Sequence, residues 1–169
     1  MRTKNVRVLP YDVKWKDYFE AIKIELVEAL RSIPISIEHV GSTSVEGLAA
    51  KPIIDIDVVV KPEDVSKAIE LLEGHGYIYE GNLGIEGREA FAYEGKNHLQ
   101  EHHLYVCPLD SKELARHIAF RDYLRSHPEA VEEYSKVKLE AAKLYPDNIE
   151  KYIEYKSPVI EEIYKEIGL

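Results

Sequence analysis

The sequence predicts an α+β domain, a small sheet covered by helices and followed by a helical C-terminal third. Three observations predict it. The run IIDIDVVV, Ile53 to Val60, is rich in β-branched residues and stops before Pro62, so it reads as the clearest strand. Shorter strand candidates and one helix surround it between residues 36 and 107, in an order that fits no repeating strand–helix unit. From Ser111 onward, apolar residues recur at helical spacing. The length of 169 residues suits one domain, with 1–110 as the sheet-containing core and 111–169 as a helical part packed on it.

Taken in order, Val13 to Arg31 repeats Trp15, Phe19, Ile22, Leu26 and Leu30 at helical spacing, with Asp12 as N-cap. Ser36 to Val40 is a short apolar strand ending at Gly41, and the polar stretch from Thr43 to Ala49 reads as the start of a helix. The IIDIDVVV strand follows Pro52. Glu63 to Glu73 carries Val65, Ala68, Ile69 and Leu72 on one helical face and is ended by Gly74 and Gly76. Tyr77 to Glu80, Ala90 to Tyr93 and His103 to Cys107 read as strands, and GNLGIEGRE between them is turn-rich. Three helices complete the chain: Lys112 to Ser126, Glu129 to Leu144 and Asn148 to Ile167. Pro158 is expected to kink or split the last.

Composition narrows the function. Lys and Arg number 22 against 31 Asp and Glu, a net charge of −9. Bulk binding of nucleic acid needs a basic footprint, so it is not expected. No run approaches the ~18 apolar residues of a membrane span. The N-terminal stretch MRTKNVRVLPYD shows no apolar leader segment. One cysteine, Cys107, allows neither an intramolecular disulfide nor a cysteine-based zinc cluster. A soluble cytoplasmic protein is the expectation.

The chemistry concentrates between Val40 and Val60. Asp55 and Asp57 lie two apart on a strand, so both carboxylates leave one face roughly 6–7 Å apart. Two acids within an Ile/Val strand are costly to bury unpaired. A divalent cation, Mg²⁺ or Mn²⁺, would relieve that cost and keep positions open for phosphate oxygens. Pairing with lysines at an exposed edge is the plainer alternative. Gly41 and Ser42 follow the first short strand, where turn N–H groups and the Ser42 hydroxyl suit a phosphate, or simply shape a strand–turn junction. Lys51 and Arg88 are further phosphate candidates, the latter through a bidentate guanidinium. Arg121, Lys138 and Lys156 each interrupt an apolar helical stripe. Such a cation snorkels outward or reaches a cleft, and three at one cleft would suit a triphosphate.

Val40-Gly41-Ser42, twelve intervening residues and Asp55-Ile56-Asp57-Val58 together resemble the signature of the nucleotidyltransferase superfamily, the DNA polymerase β-like fold. The string HVGSTSVEGLAAKPIIDIDVVV is similar to the GrpB family (UPF0157-type), a branch of that superfamily. Further matches are PYDVKW, LGIEGREAF, HHLYVC, FRDYLRSHPEAVEEYSKVK and the final Lys156 to Ile163. The resemblance implies a nucleotidyltransferase-like mixed β-sheet covered by helices, with a site for a nucleoside triphosphate and Mg²⁺. It favours a cleft for Arg121, Lys138 and Lys156. The superfamily's third carboxylate has no counterpart in HHLYVC, and Tyr105 stands where the GrpB pattern has a further histidine. His103 is then the candidate third metal ligand or general base. Two readings follow: a metal-dependent nucleotidyltransferase acting on an unknown acceptor, or a non-catalytic nucleotide- or coenzyme A-binding module. The second draws on GrpB-like domains that occur joined to dephospho-coenzyme A kinase.

Overall fold

The computed structural model describes residues 5–169. The first four residues of the N-terminal stretch read above as lacking a leader segment lie outside the described residues. Helix α1 spans Lys14–Ala29, strand β1 Ser36–Val40, β2 Ile54–Val60, helix α2 Val65–Glu73, and strands β3 Tyr77–Tyr79, β4 Glu89–Tyr93 and β5 His102–Pro108. Helices α3 Lys112–Arg125, α4 Pro128–Leu144 and α5 Ile149–Ile167 follow. The five strands form one sheet in the order β1-β2-β5-β4-β3. The β2–β5 pair is parallel and the other pairs are antiparallel.

Alternation along β2 divides the molecule. Ile54, Ile56, Val58 and Val60 point to one face, where they join Trp15, Phe19, Ile22 and Leu26 of α1 and Ala68 and Leu72 of α2 in the main core. Each fully buried side chain of this size contributes roughly 1.5–3 kcal/mol. Asp55, Asp57 and Val59 leave the opposite face. There Val59 packs with Cys107 and Leu114 at the foot of α3. A further cluster joins Val45 and Leu48 to Leu124, Val131, Tyr134 and Ile163, and so docks the C-terminal helices against the segment between β1 and β2. That segment carries Gly41 and Ser42, so the helical part is packed where the carboxylates emerge.

Two local readings are corrected, the helix after Gly41 and the split of the last helix. The polar stretch after Gly41 forms a single 3₁₀ turn over Ser42–Ser44 and no α-helix. Its hydroxyls are engaged locally: Ser44 Oγ donates to Gly41 O, and Thr43 Oγ1 pairs with His39 Nε2 at 2.9 Å. Such bonds compete with a helical ladder. Gly47 at φ 86° then turns the chain. Helix α1 begins at Lys14, and Asp12 Oδ1 accepts from the Lys14 N–H at 2.9 Å. Helix α5 runs unbroken through Pro158. Its N-terminus is capped by Asn148, whose side chain accepts from the Lys151 N–H at 3.1 Å.

Candidate functional site

At the carboxyl-bearing face of the sheet, a pocket of about 180 Å³ opens between β2, β5, the Ser42 turn, α4 and α5. Ser42, Lys51, Asp55, His103, Lys138 and Lys156 line it, together with Tyr152. The register explains why. Parallel pairing sets Asp55 beside His103 and Asp57 beside Tyr105, all on the same face. His103 Nδ1 lies 3.0 Å from Asp55 Oδ1. Gly41 turns at φ 73°, and a Cβ there would overlap the Asp55 carboxylate. Only glycine lets the backbone come this close with that φ.

The turn is braced from behind. His39 stacks on Phe19 with ring centroids 4.5 Å apart and pairs with Thr43. Burial first, and then the Arg125 charge, push His39 down to about 4, so it is neutral at physiological pH. Arg125 donates from Nε and Nη2 to Ser44 O at 3.0 and 2.9 Å.

The lysines make the pocket's electrostatics. Lys138 is only 3% exposed, with Nζ 2.7 Å from Ser42 Oγ and 4.7 Å from the centroid of Tyr134. Burial, reinforced by the charge of Lys156, holds its amine well below the usual lysine range. Lys156 lies 4.7 Å from the Tyr152 ring centroid, and burial with the nearby Lys51 pushes it down to about 8.

Asp57 is placed differently from Asp55. It is fully buried and does not line the pocket. Its Oδ2 lies 2.6 Å from His117 Nδ1, and His117 Nε2 lies 3.1 Å from Glu113 Oε1. Burial raises the Asp57 carboxyl against the opposing effect of His117. Burial alone would lower His117, but the carboxylates of Asp57 and Glu113 outweigh it and the imidazole is raised. Asp57 Oδ1 has no hydrogen-bond partner. Among the described residues, no three His, Cys, Asp or Glu side chains come together in a metal-holding group. The expected Asp55–Asp57–His103 triad is therefore not assembled as three converging ligands.

Two expected cations are not in the pocket. Arg121 turns to β1, donating to Glu38 Oε2 at 2.7 Å and His39 O at 3.1 Å, with Asp122 on its Nε at 2.9 Å. Glu38 faces Asp57 across the β1–β2 register, so an acid of the sheet captures the guanidinium first. Arg88 lies over the Tyr105 ring, 4.3 Å from its centroid, beside Asp57 rather than Asp55.

Sequence reasoning passed over the His117–Glu113 pair. The signal was there: the two are four apart on α3, which places both on one helical face. It also missed the part of Tyr134 and Tyr152 as aromatic walls under the lysines.

Comparison with known proteins agrees with the fold. The family model described as GrpB protein matches residues 5–166. The UPF0157 protein YqkA of Bacillus subtilis is 36% identical over 94% of this chain, and the chain spans 46% of that protein, about half its length. The crystal structure of conserved protein GrpB from Enterococcus faecalis superposes with a TM-score of 0.78 at 35% identity, over 96% of this chain and all of that one. A structure of the Cid1 poly(U) polymerase bound to MgATP shares the fold, with a TM-score of 0.56 at 14% identity over 79% of this chain and 44% of that one. A dephospho-CoA kinase of Mycobacterium tuberculosis is 26% identical over 94% of this chain and 45% of its own length.

Proposed function

The chain belongs to the GrpB family, and from that premise we propose that it binds a nucleoside triphosphate together with Mg²⁺ or Mn²⁺ and transfers the nucleotidyl group to a hydroxyl of an acceptor. The observation that carries this reading is the pocket itself. In a chain of net charge −9, Lys51 and Lys156, with the buried Lys138 behind them, gather around one half-buried carboxylate, Asp55. A polyphosphate with its cation satisfies both signs of charge at once.

The residues fit a hard divalent ion held largely by its nucleotide. Such an ion needs one or two protein carboxylates, and the remaining positions go to water and phosphate oxygens. Asp55 faces the pocket, and Asp57 two residues along keeps one buried oxygen unpartnered. These two would hold the ion, which when bound polarises the phosphate and offsets charge on the leaving group. His103 Nδ1 orients Asp55 and leaves Nε2 for a ligand or a proton. Lys51 and Lys156 neutralise the outer phosphates, and the Ser42 turn forms the floor of the pocket.

The test is thermal stabilisation by ATP, GTP, CTP and UTP with and without Mg²⁺ or Mn²⁺. Ligand at ~100 times Kd stabilises the native state by ~2.7 kcal/mol. Asp55→Asn and Asp57→Asn are expected to lose the cation-dependent part of that shift. If both variants respond as the wild type does, the site is misassigned. A second reading, a nucleotide- or coenzyme A-binding module without turnover, is favoured by the lack of three converging metal ligands among the described residues and by the match to a dephospho-CoA kinase. Release of pyrophosphate separates the two.

A further inference from the structure

The pocket holds a pair of groups that binding alone does not require. Ser42 Oγ and Lys138 Nζ lie 2.7 Å apart on the pocket wall. Among the described residues Lys138 forms no ion pair; its neighbours are the Ser42 hydroxyl and the face of Tyr134. Burial, with two further lysines in the pocket, outweighs the Asp55 carboxylate and disfavours another positive charge there. Burial therefore holds this amine well below the usual lysine range, within hydrogen-bond distance of a hydroxyl. This is the arrangement by which a neutral lysine activates a serine.

Ser42 is also held as a nucleophile must be held. It follows a left-handed glycine, so it leads a turn instead of continuing β1. The turn is fixed by Gly41 against Asp55, by Thr43 on His39, and by Arg125 on Ser44 O. A reacting group locked by packing and by hydrogen bonds from behind needs little reorganisation.

We propose that Ser42 is a nucleophile activated by Lys138, and that nucleotidyl transfer proceeds in two steps through a covalent Ser42–nucleotide. The inference rests on the reading that this pocket takes a nucleoside triphosphate. In the first step Ser42 Oγ bonds to the α-phosphorus and the bond from that phosphorus to the β-phosphate oxygen breaks. The Ser42 proton passes to Lys138 Nζ and on to the departing pyrophosphate. Lys51 and Lys156 offset the charge that grows on the leaving group. In the second step an acceptor hydroxyl attacks the α-phosphorus, its proton passes through Lys138 to Ser42 Oγ, and the serine is restored. The chain thus has a proton acceptor without the superfamily's third carboxylate.

The first step needs no acceptor, which makes it measurable while the acceptor is unidentified. The full chain is incubated with each of the four ribonucleoside triphosphates and Mg²⁺ or Mn²⁺. Intact mass, peptide mapping and exchange of labelled pyrophosphate into triphosphate are followed, with thermal stabilisation measured in parallel. The expected result is one nucleotidyl group on Ser42 and measurable exchange. Ser42→Ala should abolish the adduct and the exchange, and Lys138→Met should slow exchange about a hundredfold or more. Stabilisation of the wild type with neither adduct nor exchange overturns the inference and leaves the triphosphate reading standing. An adduct on another residue, or one that persists in Ser42→Ala, also overturns it. A wild type that no triphosphate stabilises overturns both.

Discussion

At Gly41 the backbone turns with φ 73°, and a Cβ there would overlap the Asp55 carboxylate. Alanine there meets two costs, a left-handed backbone and a Cβ overlapping a side chain that the site needs in place. Gly41→Ala is expected to lower stability by roughly 1–3 kcal/mol, read by urea unfolding. It should also displace Asp55 and remove cation-dependent stabilisation by triphosphate. An unchanged response would show that the carboxylate tolerates displacement. What the sequence discloses at this scale is periodicity. Alternation puts Asp55 and Asp57 on one face, and the structure keeps them there. It does not disclose that Asp57 is sealed by His117, because the partner arrives from sixty residues away. Arg121 and Lys138 present the same pattern, a cation in an apolar stripe. They part only because Glu38 stands within reach of Arg121, while Lys138 meets a hydroxyl and an aromatic face.

Among the elements, strands and long helices are legible because their period and punctuation agree. The shortest segments are not, since side-chain hydroxyls decide them: the Ser42–Ser44 turn uses its Ser and Thr groups to end a helix before it starts. Helix α5 departs from its sequence in the other direction. Pro158 removes the N–H that would bond the Glu154 carbonyl, yet the helix is continuous over Ile149–Ile167. Packing holds it, with Tyr152 and Ile163 buried against its neighbours. Just before the proline, Ser157 Oγ donates to Ile153 O at 2.6 Å. Pro158 is exposed, so Pro158→Ala restores a hydrogen bond without disturbing a core contact. A helix-interior proline costs about 3 kcal/mol, and recovery of about 1–3 kcal/mol in thermal or urea unfolding is expected. A variant no more stable than the wild type would mean that Pro158 costs this helix nothing.

For the molecule as a whole, the pocket lies on the seam between 1–110 and 111–169. The first part supplies Ser42, Lys51, Asp55 and His103, and the second Lys138, Tyr152 and Lys156. Each part was readable in the sequence; their mutual placement was not, because it depends on the cluster of Val45 and Leu48 with Leu124, Val131, Tyr134 and Ile163. That docking concentrates positive charge at one place in a chain of net charge −9, and the concentration has a pH signature. Lys138 is held well below the lysine range and Lys156 is pushed down to about 8, so Lys156 is the pocket cation that titrates just above neutrality. Below that value it is charged and attracts polyphosphate. Above it the free protein has lost the proton, and binding must take one up, which becomes harder as protons grow scarce. Triphosphate affinity is therefore expected to fall above pH 8, approaching tenfold per pH unit. Stability without ligand moves the opposite way: the folded pKa lies below the ordinary 10.5, the unfolded chain binds more protons between about 8 and 10.5, and stability rises with pH across that window. Lys156→Gln should weaken binding at pH 7 and flatten both profiles. Calorimetric titration of triphosphate from pH 7 to 9 in both proteins decides the matter, since a wild-type affinity constant across that range would remove Lys156 from the site.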